Sequence, residues 1–398
     1  MNILFLTICK IHDLKYSDIY TDLMKQFVAN GHDVYIVAPF ERRMKQQTSL
    51  YESDGAHFLG VKTLNIQRTN IIEKGVGTLL IESQFKNAVK KYFGHIKFDL
   101  VTYSTPPITF SNVIEYVKKR DGAKSFLQLK DIFPQNAVDL GIFGKNSPFY
   151  WYFRKKEKQL YKFSDVIGCM SPANIEYVIK HNLDIPREKV IEAPNSIEIV
   201  EHPVVDKMAV RKHFNLPLDK IIFLYGGNLG KPQGIEFFVE CLNKVKDCGK
   251  CHFVIIGSGT DSVKIDSWIS KQKPKNVTRL EFLPKEEYYK IIRSCDVGLI
   301  FLDYRFTIPN YPSRMLPYME YNMPFIAATD TASDVGTIAE KEGFGYWCPS
   351  NDSDAFAICI DRMLSSDISE MGKKANNYLK EHYDVKLMYN TIINSISE

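Results

Sequence analysis

Short apolar runs alternate with longer stretches of helical period along most of the chain. Residues 3–8, 33–38, 98–103, 125–129 and 166–169 are short and nearly continuous in apolar side chains. That is the signature of strands covered on both faces. Between them, 17–30, 77–93, 108–119 and 149–163 carry apolar residues at helical spacing. The alternation predicts a parallel sheet flanked by helices. The pattern pauses at 193–206, where Pro194 and Pro203 interrupt a stretch with no clear period. It restarts with predicted strands at 221–225, 253–256, 277–282, 297–301 and 325–328. Helices are expected at 235–246 and 355–364, and an amphipathic helical tail over 368–396.

The predicted fold is therefore α/β, with two doubly wound Rossmann-like domains facing a cleft. The expected boundaries are a first domain over 1–193, a linker over 194–206, a second domain over 207–375, and a C-terminal helix over 376–398 that packs back on the first domain. In such sheets ligands bind at the carboxyl ends of the strands. The length of 398 residues agrees with two cores rather than one.

Composition changes this picture little. A charged fraction of 25% and a net charge of +4 suit a folded globular chain and point away from nucleic acid. Eight cysteines are too few for a disulfide scaffold. The apolar N-terminal run ends at Lys10 and has no basic stretch before it, unlike a secretory signal. No segment approaches the roughly 18 apolar residues of a membrane span. The expectation is a protein of the reducing cytoplasm.

The second half opens with a strand, then Gly226-Gly227-Asn228-Leu229-Gly230-Lys231-Pro232-Gln233-Gly234, then a helix. Such a turn lets backbone approach a phosphate, and amides at a helix start favour anions. It also serves as a plain packing turn. It fails the Walker pattern, with Tyr225 in the first glycine position and Pro232 after the lysine, and it lacks the dinucleotide spacing. Further on, Pro312-Ser313-Arg314 precedes a predicted helix that Ser313 would cap, leaving anion-friendly amides beside Arg314. Gly257-Ser258-Gly259 ends another predicted strand. Asp352-Ser353-Asp354 reads as a cap, and Cys248-Gly249-Lys250-Cys251 lacks the second pair a zinc site needs. No metal is expected.

Taken in order, these segments resemble the retaining family-4 glycosyltransferases of the GT-B fold. The chain is most similar to a branch that builds bacterial O-antigen and capsule chains, often moving N-acetylated amino-deoxysugars such as N-acetylfucosamine. The resemblance rests on Gly31-His32-Asp33-Val34-Tyr35-Ile36-Val37-Ala38-Pro39, Asp131-Ile132-Phe133-Pro134-Gln135-Asn136-Ala137, the Gly227–Gly234 turn, Ile256-Gly257-Ser258-Gly259, Ser294-Cys295-Asp296-Val297, and Pro312-Ser313-Arg314 followed by Tyr318-Met319 and Pro324.

The resemblance implies a UDP-sugar donor, a polyprenyl-diphosphate-linked glycan acceptor, and retention by front-face attack without a protein nucleophile. It implies donor-phosphate binding by Gly227, Asn228, Gly230, Lys231, Ser313 and Arg314. Lys231 and Arg314 would stabilise the leaving diphosphate, and Asp131 would meet the sugar or acceptor. Gly257 and Gly259 would lie near the donor sugar or nucleoside; His12, Ser104 and Thr105 would lie on the acceptor side. Pro309 and Pro317 stand where the family often has two glutamates, so Glu320, one helical turn on, is the candidate replacement for the ribose contact. The aromatic and basic segment Tyr150–Phe163 would rest on anionic lipid, making the protein peripheral on the inner face of the cytoplasmic membrane. A sugar-nucleotide 2-epimerase and a non-catalytic nucleotide-sugar-binding partner are the competing activities for the same scaffold.

Overall fold

A computed structural model describes residues 1–67, 69–203 and 205–397. The chain divides into two compact units, Met1–Glu198 with Asp384–Glu398, and Ile199–Tyr383. Val204, within the expected linker, and Glu398, at the end of the expected tail helix, lie outside the described residues.

The first unit is built on β1 (Asn2–Leu6), β2 (Asp33–Glu41), β3 (Ser49–Ser53), β4 (Ala56–Thr63), β5 (Leu100–Ser104), β6 (Lys124–Leu129), β7 (Val166–Cys169) and β8 (Val190–Glu192). Their order in the sheet is β3-β4-β2-β1-β5-β6-β7-β8. Only β3 runs antiparallel, paired with β4. The central strands are apolar because helices cover both faces: Ile3, Leu4, Phe5 and Leu6 are fully buried. The chain leaves β1 toward β2 and later returns to β5 on the other side, so the crossover of this unit lies between β1 and β5.

The second unit holds β9 (Ile221–Gly226), β10 (Cys251–Ile256), β11 (Val277–Leu280), β12 (Val297–Phe301), β13 (Phe325–Thr329) and β14 (Gly345–Pro349). All pair in parallel, in the order β11-β10-β9-β12-β13-β14. This is the doubly wound order of a Rossmann-like sheet, with its crossover between β9 and β12. Phe223, Phe238, Phe253 and Phe301 form the centre of its core.

The expected boundary at 375 falls inside the helix Ile368–His382, which belongs to the second unit. The tail is two helices rather than one. The second, Val385–Ser397, places Val385, Met388 and Ile392 in the core of the first unit. The β3–β4 hairpin, β8 and β14 fall outside the strands predicted from apolar runs. β3 is an exposed edge strand with little apolar signal.

Candidate functional site

The glycine turn follows β9 at the crossover, where the sheet order places a ligand crevice. Its conformation is fixed by hydrogen bonds. The Gly227 amide donates to Ile256 O at 2.9 Å, and the Leu229 amide to Ser258 O at 2.9 Å. The turn is thereby zipped to the Gly257–Gly259 loop after β10. Tyr225 Oη donates to Asn228 O at 2.7 Å, and Asn228 Nδ2 to Gln233 Oε1 at 3.0 Å. Across the crossover, the Asp303 amide donates to Pro232 O at 2.9 Å. Lys231–Gln233 form a single 3-10 turn before the helix Ile235–Lys244. That helix ends two residues earlier than predicted.

One expectation is corrected here. The Gly227 amide is already spent on Ile256, so it is not a phosphate donor. The glycine serves by leaving room instead. Gly227 has φ of 132°, and the guanidinium of Arg314 lies 3.6 Å from where a side chain on Gly227 would begin. The Arg314 guanidinium stacks on Tyr225 at 4.8 Å from the ring centroid. It is half-buried and joins no ion pair among the described residues, and its Nη1 is buried without a hydrogen-bond partner. A desolvated, permanently charged group without a counter-ion costs stability, and a bound anion removes that cost. Lys231 is exposed and likewise unpaired among the described residues.

A further expectation fails. Ser313 does not cap its helix. The helix runs Met315–Glu320, Arg314 occupies the cap position, and no side chain accepts from the first turn. Ser313 is exposed, and only its carbonyl is used, by Leu316 N. Pro317 is the third helical residue, where no intrahelical amide is needed, so it does not disturb the helix. Glu320, the candidate for the ribose contact, has one carboxylate oxygen engaged within the second unit. Its Oε1 meets His202 Nε2 at 2.7 Å, and His202 Nδ1 meets Arg293 at 3.0 Å. Tyr318, two residues earlier, packs against β9: its Oη donates to Leu224 O at 3.2 Å and accepts from Gly226 N at 3.3 Å.

Tyr288 was not foreseen. Its hydroxyl fills the space beside Gly226, where any side chain would overlap it. Burial pushes its pKa up to about 12, so it stays a neutral donor. No signal around it in the sequence marks it, because its place depends on how the helix Lys285–Ser294 packs.

In the first unit, Ser104 and Thr105 lie at the carboxyl end of β5, and Asp131 follows the neighbouring β6. Ser104 and Thr105 are buried. Thr105 Oγ1 accepts the amides of Lys130 and Asp131, both at 3.1 Å, so its part is to hold that turn. Asp131 is half-buried and accepts from Asn136 Nδ2 at 2.6 Å. Burial raises its pKa to about 6. His12 lies tilted beside Phe40, ring centroids 5.2 Å apart, with both ring nitrogens buried and without a hydrogen-bond partner among the described residues, and burial lowers its pKa.

The Asp131 shift gives a stability prediction. The folded state holds this proton more tightly than the unfolded chain, so stability falls as pH rises between the unfolded value near 4 and about 6. Above that window the loss is complete. Asp131→Asn is expected to remove this pH dependence, read as Tm against pH. An unchanged Tm–pH curve in the variant would refute the assignment.

Cys248 and Cys251 form a disulfide, and neighbouring His252 bonds Thr278 Oγ1 at 2.8 Å. No group of three His, Cys, Asp or Glu that could hold a metal is present among the described residues.

Comparison with known proteins shows what the chain is similar to. Residues 206–382, within the second unit, match the model of glycosyl transferases group 1. A protein of Pseudomonas aeruginosa named as a glycosyltransferase (WbjE) is 28% identical over 290 residues, spanning 72% of this chain and 71% of that protein. A protein of Escherichia coli K12 named for glycosyl transfer in colanic acid biosynthesis (WcaI) is 25% identical over 201 residues, spanning 48% and 47%. Among solved structures, sucrose-phosphate synthase from Thermosynechococcus elongatus superposes with a TM-score of 0.77 at 15% identity, covering 99% of this chain and 97% of that one. HepE from Anabaena in complex with UDP-glucose gives 0.69 at 13% identity, covering 100% and 99%. The fold is that of GT-B glycosyltransferases, with two parallel-sheet Rossmann-like domains.

Proposed function

We propose that the protein is a glycosyltransferase of surface polysaccharide synthesis. It moves a sugar from a UDP-linked donor to a lipid-diphosphate-linked glycan, with retention of configuration. The sugar we propose is an N-acetylated amino-deoxyhexose. The observation that carries the reading is Arg314, a half-buried guanidinium without a counter-ion among the described residues, set against the glycine turn at the β9/β12 crossover. Such a group suits a diphosphate on which charge builds as the glycosidic bond breaks. The group 1 domain match and the names of the two relatives support the same class. Mechanistically, Arg314 and Lys231 hold the leaving diphosphate while Asp131 orients the acceptor or the sugar. No metal is assigned a role.

A transfer assay with a panel of UDP- and GDP-sugars and a synthetic lipid-diphosphate glycan tests the proposal. Nucleotide is expected to appear only when acceptor is present. Conversion of the donor alone would point to an epimerase, and no turnover with any pair would defeat the proposal.

Peripheral membrane attachment is part of the same reading. Helix Pro148–Phe163 exposes Phe149, Trp151 and Tyr152 together with Lys155, Lys158 and Lys162. Lys156 joins Glu82 at 2.7 Å, tying this helix to Ile71–Tyr92, which exposes Ile72, Val76, Leu79 and Leu80. Exposed aromatics beside lysines that join no ion pair among the described residues suit an anionic bilayer surface. Among the described residues no helix is long and apolar enough to cross a membrane. The protein is expected to float with vesicles of anionic lipid at low salt and to be released at high salt. Failure to float at low salt would remove this element.

A further inference from the structure

We propose that Lys130 forms an oxyanion subsite on the first unit, which takes a phosphoryl or carboxylate group carried by the acceptor. The inference rests on the glycosyltransferase reading and deepens it. Lys130 leaves the end of β6, which neighbours β5, while its Nζ lies 3.9 Å from the ring centroid of Tyr20. Tyr20 in turn packs against Phe5 of β1, with ring centroids 6.0 Å apart. The side chain therefore reaches over the end of β5 toward β1, and its amine sits at the crossover of this sheet. That is the position at which open α/β sheets bind ligands.

The amine joins no ion pair among the described residues. Its surroundings are the phenol of Tyr20, the thiol of Cys9, the Ser104 hydroxyl that meets Tyr20, and the more distant carboxylate of Asp18. Asp131 is its sequence neighbour but is turned to Asn136. Burial raises the pKa of Cys9 and of Tyr20, so both stay neutral. A lysine in such a setting is desolvated beside an aromatic face with no ion pair to offset the cost, and burial pushes its pKa down to about 7. An arriving oxyanion supplies the missing charge and draws a proton onto the amine. Thr105 holds the backbone of Lys130 and Asp131 in place, so the amine is presented from a fixed turn.

Linkage fixes the sign of the pH dependence. The bound complex has the higher lysine pKa, so affinity is constant below about 7 and falls as pH rises above it, by up to tenfold per unit. The test is calorimetric titration of the full chain, saturated with UDP, with P1,P2-dimethyl diphosphate in one arm and glucuronate in the other. Neither probe titrates between pH 6 and 9 (roughly, from their acid strengths). The expected result is binding with proton uptake at pH 8 and a Kd that rises about tenfold from pH 7.5 to 8.5. Lys130→Met loses it, while Lys130→Arg binds with no proton uptake and a flat pH profile.

Preference for the diphosphate assigns the subsite to the lipid-linked phosphates, and preference for glucuronate to an acidic sugar. UDP binding in the same samples reports the donor site separately. Loss of UDP binding in the wild type would count against the glycosyltransferase reading itself. UDP binding with neither probe bound, or with unchanged probe affinity in Lys130→Met, overturns the subsite alone.

Discussion

Arg314→Ala is expected to lower kcat/KM about a hundredfold, or ~2.7 kcal/mol of transition-state stabilisation. The size follows from the setting of the guanidinium. It is half-buried, stacked on Tyr225, and joins no carboxylate among the described residues, so its charge is poorly screened and available to an anion in the crevice. Lys231→Ala should cost less, about tenfold, because Lys231 is exposed and solvent weakens its field.

The same reasoning predicts opposite effects on stability and function. Arg314→Met removes a buried donor with no partner, so the ligand-free protein should melt a few degrees higher, on the order of 2–4 °C. The rise in Tm that UDP gives the wild type should vanish in this variant. Thermal unfolding with and without UDP, beside steady-state kinetics, checks both. Wild-type kcat/KM in Arg314→Ala would end the assignment of this residue to the diphosphate.

What the sequence revealed follows from how local each feature is. Strand and helix alternation is local, so the two parallel sheets and the glycine turn at the head of the second were legible. Asp54 and Gly55 join β3 to β4, with φ of 50° and 78°. An Asp-Gly pair is a hairpin signal, so this hairpin was recoverable from turn chemistry although not from apolar runs. Direction around a helix was not legible. That Tyr318 is the side chain that meets β9 depends on how the helix Met315–Glu320 packs on the sheet, which no local pattern records. The fate of an amide was equally hidden. That Gly227 N–H is taken by Ile256 O depends on β9 and β10 lying side by side, a pairing between segments far apart in sequence. Lys130 escaped notice for a related reason, since only the adjacency of β1, β5 and β6 brings its amine to Tyr20.

Gly257→Ala should have the largest effect on folding of any change at the donor side. Gly257 has φ of 142°, a region open to glycine and strained for any other residue. A methyl group there would also overlap the carbonyl oxygen of Gly227. Neither backbone can yield easily. Gly227 N–H is bonded to Ile256 O, the Leu229 amide to Ser258 O, and Gly257 O accepts from Arg279 Nη2 at 2.7 Å. Strain and lost hydrogen bonds together predict a loss of about 3 kcal/mol, with Tm lower by roughly 6–12 °C for a domain of this size. Because the displaced backbone carries the turn beside Arg314, affinity for UDP should fall with it. Gly249→Ala is the control. Its added methyl meets nothing within 4 Å, so Tm should move by no more than about 1–2 °C. If Gly257→Ala melts with the control and binds UDP as the wild type does, the zipped pair of glycine loops is not what shapes the donor site.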